Sequence, residues 1–311
     1  MRIVFMGTPQ FSVNILEGLL ALEHEVVLVV TQPDKLVGRK QIVEFSPVKK
    51  CALEHNLNIF QPTKIKDDYQ TVLDSKPDII ITAAFGQFIP KVILDCPEYG
   101  CINVHGSLLP KYRGGSPIQT AIIKGEQETG ITIMYMASKM DAGNIIVQRA
   151  IPILESDDNG SMFEKLSVLG KDLLLEVLPD IFARINQSIP QDEEKVTYAY
   201  NISHEQQFIN WNLGVSDICN LIRGLSPNPT ALTSLNGTII KIFKAKKYSN
   251  EILGKPGEVI KLNRELLVCC GDGVISILEL QQAGKNKMDV KSFLNGQKIL
   301  SLGTILENNI I

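Results

Sequence analysis

Short, almost wholly apolar runs alternate with helical periodicity through the first half of this chain, and that alternation leaves few folds open. Ile3–Met6, Val26–Thr31, Asp78–Ala84 and Cys101–His105 lack the polar alternation of a half-exposed strand. Each is therefore expected as a strand buried on both faces. Phe11–Leu22 carries apolar residues at helical spacing, and Pro47–Asn56 is expected as a further helix. Strands that alternate with helices in this way predict a parallel, doubly wound, Rossmann-like α/β domain. Gly130–Met136 and Ile145–Ile153 are expected to add strands, and Ser161–Ile185 a long amphipathic helix.

The pattern changes after Asn186–Lys195, where Pro190 and the acidic run Asp192–Glu194 mark a connector. Beyond it a helix is expected near Ser216–Gly224. Short strands follow at Thr238–Phe243, Gly257–Ile260, Leu266–Cys270 and Val274–Leu280, with turns at Asn236-Gly237, Pro256-Gly257 and Gly271-Asp272-Gly273. Asp-Gly between two apolar runs is a hairpin signal. Short strands at this spacing predict a small, OB-like C-terminal β-barrel. The expected division is a Rossmann-like domain over 1–188, a linker over 189–206 and a barrel domain over 207–311.

Composition narrows the function classes. With 44% hydrophobic and 21% charged residues in 311, the chain is globular and long enough for two cores. No apolar run reaches the roughly 18 residues of a membrane span, and the N-terminus enters a strand at once, so a cytoplasmic protein is expected. The six cysteines show no paired C-x-x-C spacing, which points to reduced thiols. The net charge of −3 conceals an asymmetry: residues 1–204 carry −6 and residues 205–311 carry +3. A basic C-terminal part on an acidic chain suggests a polyanionic partner held there. Lys241, Lys244, Lys246 and Lys247, around Phe243 and Tyr248, form either a solvated strand face or the contacts of such a partner.

The first strand ends in Gly7-Thr8-Pro9, where a dinucleotide-binding turn would need G-x-G-x-x-G, and no P-loop sequence occurs. The richest segment is Asn103-Val104-His105-Gly106-Ser107-Leu108-Leu109-Pro110. Positions 103 and 105 share one face of a strand, at the carboxyl end where open α/β sheets bind ligands. Asparagine supplies an amide donor and histidine a switchable proton. Asp141, in the turn Met140-Asp141-Ala142-Gly143, has by itself only the standing of a local cap.

Together these segments resemble the folate-dependent formyltransferases over nearly the whole chain. The resemblance runs through Phe5–Phe11, Thr31-Gln32-Pro33-Asp34, Gly38-Arg39 and Ser46-Pro47-Val48-Lys49. It continues through Asn103–Pro110, Arg113–Gln119, Thr129–Thr132 and Asp141–Gly143, then Ile209-Asn210-Trp211, Gly271–Gly273 and Ala283-Gly284-Lys285. It implies 10-formyltetrahydrofolate as formyl donor, no metal, and the amino group of methionyl initiator tRNA as acceptor, used in translation initiation. It further implies that Asn103, His105 and Asp141 are the catalytic trio. Phe85, Gly86, Gln87, Phe88, Ser107, Leu108, Leu109, Pro110, Met140, Ala142 and Gly143 would line the folate site. Residues 34–48, with Arg39 and Lys40, would form a loop that reaches the acceptor end of the tRNA, and the C-terminal barrel would hold the tRNA body. A monomer is expected. Asn-x-His with a distant Asp is shared across the superfamily, so the alternative is a folate-dependent sugar-amine formyltransferase, which should lack Ser46-Pro47-Val48-Lys49.

The residues fit such chemistry. An α-amino group titrates near pH 7.7–8.0, so neutral nucleophile is plentiful. The demand lies in the oxyanion that forms when the amine attacks the formyl carbon, and in the proton that must leave nitrogen. Asn103 and a protonated His105 would donate to that oxyanion, each preorganised donor being worth roughly 3–4 kcal/mol. Asp141 would favour the charged imidazole and help remove the amine proton, directly or through water.

Overall fold

A computed structural model of the chain describes residues 1–37, 41–296 and 299–308. The chain divides into two compact units. The first comprises Met1–Pro117, Thr129–Ile151 and Phe163–Tyr200; the second comprises Ile118–Glu128, Pro152–Met162 and Asn201–Ile311.

Strands β1 (Arg2–Gly7), β2 (Glu25–Val30), β3 (Lys35–Val37), β4 (Ile42–Glu44), β5 (Ile59–Phe60), β6 (Ile79–Ala83), β7 (Cys101–His105), β8 (Glu128–Tyr135) and β9 (Ile145–Pro152) come first along the chain. Between them run helices α1 (Gln10–Leu20), α2 (Pro47–Glu54), α3 (Gln70–Asp74), α4 (Lys91–Leu94) and α5 (Pro117–Ile123), and after them α6 (Asn159–Phe182). The main sheet has the order β5-β2-β1-β6-β7-β8-β9. From β5 to β7 the pairings are parallel, and every residue of β6 is buried, as the apolar runs predict. The expected parallel sheet stops at β7, because β8 pairs with it antiparallel, with His105 opposite Thr132. Winding reverses between β1 and β6, so the carboxyl ends of those two strands form a topological switch point, where ligands of such sheets bind.

Local signals explain the elements around that point. The face of α1 formed by Phe11, Ile15, Leu16 and Leu19 is buried. The α2 helix starts at Ser46, whose side chain accepts from Lys49 N, followed by Pro47 in the first turn. The short β3–β4 hairpin, absent from the sequence expectation, is exposed along β4 and offers no alternation to read. Residues 189–200, within the span expected as a linker, lie along the first unit. Ile189 bridges Ile145, and Arg113 both donates to Thr197 O at 2.9 Å and accepts from Ala199 N at 2.8 Å.

The second unit holds α7 (Val215–Leu225), β10 (Ala231–Leu235), β11 (Thr238–Ser249), β12 (Val259–Lys261), β13 (Leu266–Cys270), β14 (Gly273–Gln282), β15 (Met288–Asp289) and α8 (Val290–Gly296). Its antiparallel sheet has the order β10-β11-β14-β13-β12, with β15 beside β14. Near the C-terminus the chain bridges both edges of that sheet: Glu307 pairs with Ser234 of β10, and Ile305 pairs with Glu258 just before β12. This curls the sheet toward the closed form that the short strands predict. Trp211 is 1% exposed in its core and donates through Nε1 to Thr233 Oγ1 at 3.1 Å. Among the cysteines, burial pushes the Cys51 and Cys219 thiols up to about 11 and that of Cys270 to about 12.

Candidate active site

The β7 strand ends an apolar run with two polar side chains at alternate positions, Asn103 and His105. On the neighbouring β6, Thr82 pairs in register with Asn103 and its hydroxyl donates to Asn103 Oδ1 at 2.9 Å. That contact orients the amide, so Nδ2 points to Asp141 Oδ1, 3.4 Å away. His105 places Nε2 at 3.0 Å from the carbonyl oxygen of Tyr112. A carbonyl only accepts, so Nε2 carries a proton and is occupied by that bond. Nδ1 is the ring atom left facing Asp141, with Oδ1 at 3.8 Å.

Asp141 lies in the connection between β8 and β9, with a left-handed φ of +49°. Its Oδ2 accepts from the backbone N–H of Gly114 at 2.9 Å. Gly114 has φ +125°, and a Cβ there would sit 2.5 Å from Ala199 O, so only glycine brings its N–H to the carboxylate. The carboxylate thus has a donor on each oxygen, one from the strand and one from a turn. The side chains of His105 and Asp141 are only 6% and 16% exposed, which lowers the local dielectric and strengthens every polar contact made there. The three residues expected to act together therefore come together in space.

The segments expected to line the donor site follow β6 (Phe85–Phe88), β7 (Ser107–Pro110) and β8 (Met140–Gly143). Phe85 is buried, and its carbonyl accepts from Thr8 Oγ1 at 3.0 Å and from Gln32 Nε2 at 3.1 Å. Gln87 spends its side chain on structure, with Oε1 accepting from Ile65 N at 2.7 Å and Nε2 donating to Pro62 O at 3.0 Å. Ser107 is buried and donates to Lys111 O at 2.7 Å, while Leu109 packs with Met134 and Ile145. Gly86, Phe88 and Met140 are exposed, and Leu108, Pro110 and Ala142 are half-buried. Gly143 is buried where a Cβ would meet Tyr135 O at 1.8 Å.

Two further motifs acquire a physical cause. The Thr31-Gln32-Pro33-Asp34 and Ser46-Pro47-Val48-Lys49 segments bind each other, with the Thr31 and Ser46 hydroxyls 2.8 Å apart and Lys49 Nζ 2.6 Å from Asp34 Oδ2. A hydrogen bond from Gln61, then that from Lys49, holds the Asp34 carboxyl below its usual range. Arg39 and Lys40 lie outside the described residues. In the second unit Lys241, Lys244, Lys246 and Lys247 of β11 are all exposed. Register shifts at Ile242/Lys244 and Lys244/Ala245 break the strict alternation, which is how lysines two and three apart both reach solvent.

Thr82, Tyr112 and Gly114 hold the cluster, yet no role for them was apparent in the sequence. Thr82 had a faint signal, as the one hydroxyl within the buried run Ile79–Ala83. The Tyr112 contact uses a backbone oxygen, which no side-chain motif reports.

A switch-point sheet without a nucleotide turn, carrying an amide and an imidazole on one strand that meet a carboxylate from a connecting turn, defines a group-transfer enzyme of the Rossmann-like α/β class. Residues 1–178 match the family described as formyl transferase, and residues 201–298 match the formyl transferase C-terminal domain. The chain belongs to the formyl transferase family. It is 51% identical over 299 residues to a methionyl-tRNA formyltransferase of Enterococcus faecalis, covering 95% of this chain and 96% of that protein. It is 49% identical over 309 residues to the methionyl-tRNA formyltransferase of Staphylococcus epidermidis, covering 98% and 99%. Among solved structures it resembles a sugar 3N-formyl transferase, crystallised in the presence of dTDP and 5-N-formyl-THF. The TM-score is 0.68 at 22% identity, over 92% of this chain and 99% of that one. No helix among the described residues is long and apolar enough to cross a membrane.

Proposed function

We propose that the protein transfers a formyl group from 10-formyltetrahydrofolate to the amino group of methionyl initiator tRNA, giving N-formylmethionyl-tRNA for translation initiation. It would act as a monomer in the cytoplasm. The observation that carries this reading is the convergence of Asn103 and His105 of β7 with Asp141, in a chain about half identical throughout to curated methionyl-tRNA formyltransferases.

In this reading the amine nitrogen bonds to the formyl carbon and the carbonyl π electrons move onto oxygen. Asn103 Nδ2 and His105 Nδ1 donate to the developing oxyanion, His105 Nε2 being taken by Tyr112 O. Asp141 accepts the amine proton, directly or through water. Collapse of the intermediate breaks the bond to N10, and tetrahydrofolate leaves after N10 gains a proton. The exposed lysines of β11 would meet the phosphates of the tRNA body, and Arg39 and Lys40 the acceptor end. Domain roles follow: catalysis over 1–188, connection over 189–206 and tRNA binding over 207–311.

Incubation with 10-formyltetrahydrofolate and charged initiator tRNA should yield formyl-methionine. A folate analogue should raise the melting temperature, and NAD(H) should not. Formylation of an amino sugar nucleotide but not of the tRNA would replace the acceptor, and a thermal shift with NAD(H) alone would replace the donor. Sedimentation at micromolar concentration should give one chain per particle.

A further inference from the structure

Gln191 belongs to the segment that runs along the first unit, and its side-chain amide is fully engaged. Nε2 donates to the carbonyl oxygen of Asp141 at 2.8 Å and to that of Gly143 at 2.9 Å. Oε1 accepts from Arg113 Nε at 3.0 Å and from Arg113 Nη2 at 2.8 Å. On one side stand two groups that only accept; on the other stands a guanidinium that only donates. A carboxamide, with a donor end and an acceptor end, satisfies both, whereas a carboxylate would set an oxygen against two carbonyls. Arg113 is itself wholly buried, so the Oε1 end of the amide is anchored in the interior.

The two sides that Gln191 joins are the two sides that frame the Asp141 carboxylate. One is the turn that carries Asp141, whose left-handed φ of +49° is a turn conformation that aspartate tolerates and that the two bonds from Gln191 brace. The other carries Arg113 and, next to it, Gly114, whose N–H binds Asp141 Oδ2 at 2.9 Å. We propose that Gln191 is a positioning residue for the formyl-transfer reaction. It fastens the Asp141 turn to the Arg113–Gly114 turn and so sets the carboxylate at its distance from Asn103 and His105. This inference rests on the reading above, in which Asp141 acts on the transferred amine.

The test is a double-mutant cycle. Gln191→Glu keeps the acceptor toward Arg113, and with it the fold, but repels the Asp141 and Gly143 carbonyls; Gln191→Leu removes both ends. Single-turnover rates are measured with both substrates saturating, in the wild-type and Asp141→Asn backgrounds, with melting temperature as the check on folding. In the wild-type background Gln191→Glu should lower the rate about ten- to hundredfold, as misplacement of a reacting group on the order of 1 Å does. KM for the tRNA and the thermal shift by a folate analogue should change little. In the Asp141→Asn background the same change should cost no more than about twofold, because the group it positions is gone. An equal loss in both backgrounds would mean that Gln191 serves the fold at large. A folded Gln191→Glu protein with the wild-type rate would equally overturn the proposal. If Asp141→Asn alone turns over like wild type, the assignment of Asp141 fails first, and that arm separates the two failures.

Discussion

The polar cluster of the first unit and the lysine strand of the second solve opposite problems. Around Asp141 the polar groups have specific partners, the side chains are nearly buried, and two turns admit only glycine at Gly114 and Gly143. Along β11 the lysines stand in solvent, and the nearest acidic neighbour of Lys244 across the sheet, Glu279, is taken by Lys287 at 2.6 Å. The first arrangement fixes directions; the second supplies a sum of charges whose individual directions hardly matter. Damage to the first should therefore appear in the chemical step and be insensitive to salt. Damage to the second should appear in binding and depend strongly on salt.

The sharpest way to break this contrast is Asp141→Asn. It preserves shape but removes the charge and the proton acceptor, and should lower kcat by at least about a hundredfold. The thermal shift by a folate analogue should persist. Turnover within a few-fold of wild type would show that the closed cluster is not where the reaction is decided.

A smaller effect, of a different kind, is expected from replacing Lys241, Lys244, Lys246 and Lys247 with Ala. Each tRNA phosphate that is no longer neutralised should reduce the slope of log K against log salt by roughly 0.7–0.9. If the four lysines together neutralise one or two phosphates, the slope should flatten by about one to two units and Kd rise by roughly tenfold near 0.1 M salt. Single-turnover rates at saturating tRNA should be unchanged. Binding titrations at several salt concentrations decide it, since an unaltered slope would remove β11 from the tRNA path.

The smallest effect concerns charge inside the first unit. Hydrogen bonds from Arg113 and then Lys139 hold the Glu193 carboxyl down at about 2, against an ordinary value of 4.5. A carboxyl depressed by folding stabilises the native state above its unfolded value, and that contribution disappears as pH falls through the folded one. Glu193→Gln should thus melt slightly below wild type at pH 7, and the gap should close between pH 4.5 and 2. Glu193 is more than half exposed, so solvent screens most of the interaction and the gap at neutral pH should be small. A gap constant with pH would assign the difference to packing rather than to charge.

Elements defined by local pattern were legible in the sequence, and those defined by distant partners were not. Cys101–His105 and Leu266–Cys270 are strands over the very residues expected, because a buried strand bounded by turns carries its signal within five residues. β10 gives little sign of itself although all five of its residues are buried, since Ala231–Leu235 has little β-branching and follows Pro227 and Pro229. The closing bridge at Glu307 was invisible because its partner, Ser234, is 73 positions away. The candidate site divides in the same way. Asn103 and His105 were legible from their spacing on one strand, whereas Asp141 stood out only through family resemblance. Gln191, whose partners lie 50 and 78 positions away, gave no local sign and sat in a stretch expected as linker.

The hydrogen bond between His105 and Tyr112 O has a consequence for the path of protons. A histidine with both nitrogens free can take a proton on one side and release it on the other, acting as a two-ended relay between a reaction and bulk water. With Nε2 sealed against a carbonyl, this ring has one open end, and whatever proton it exchanges must come and go through Nδ1. The imidazole thus exchanges protons on one side only, the side that faces the Asp141 carboxylate 3.8 Å away.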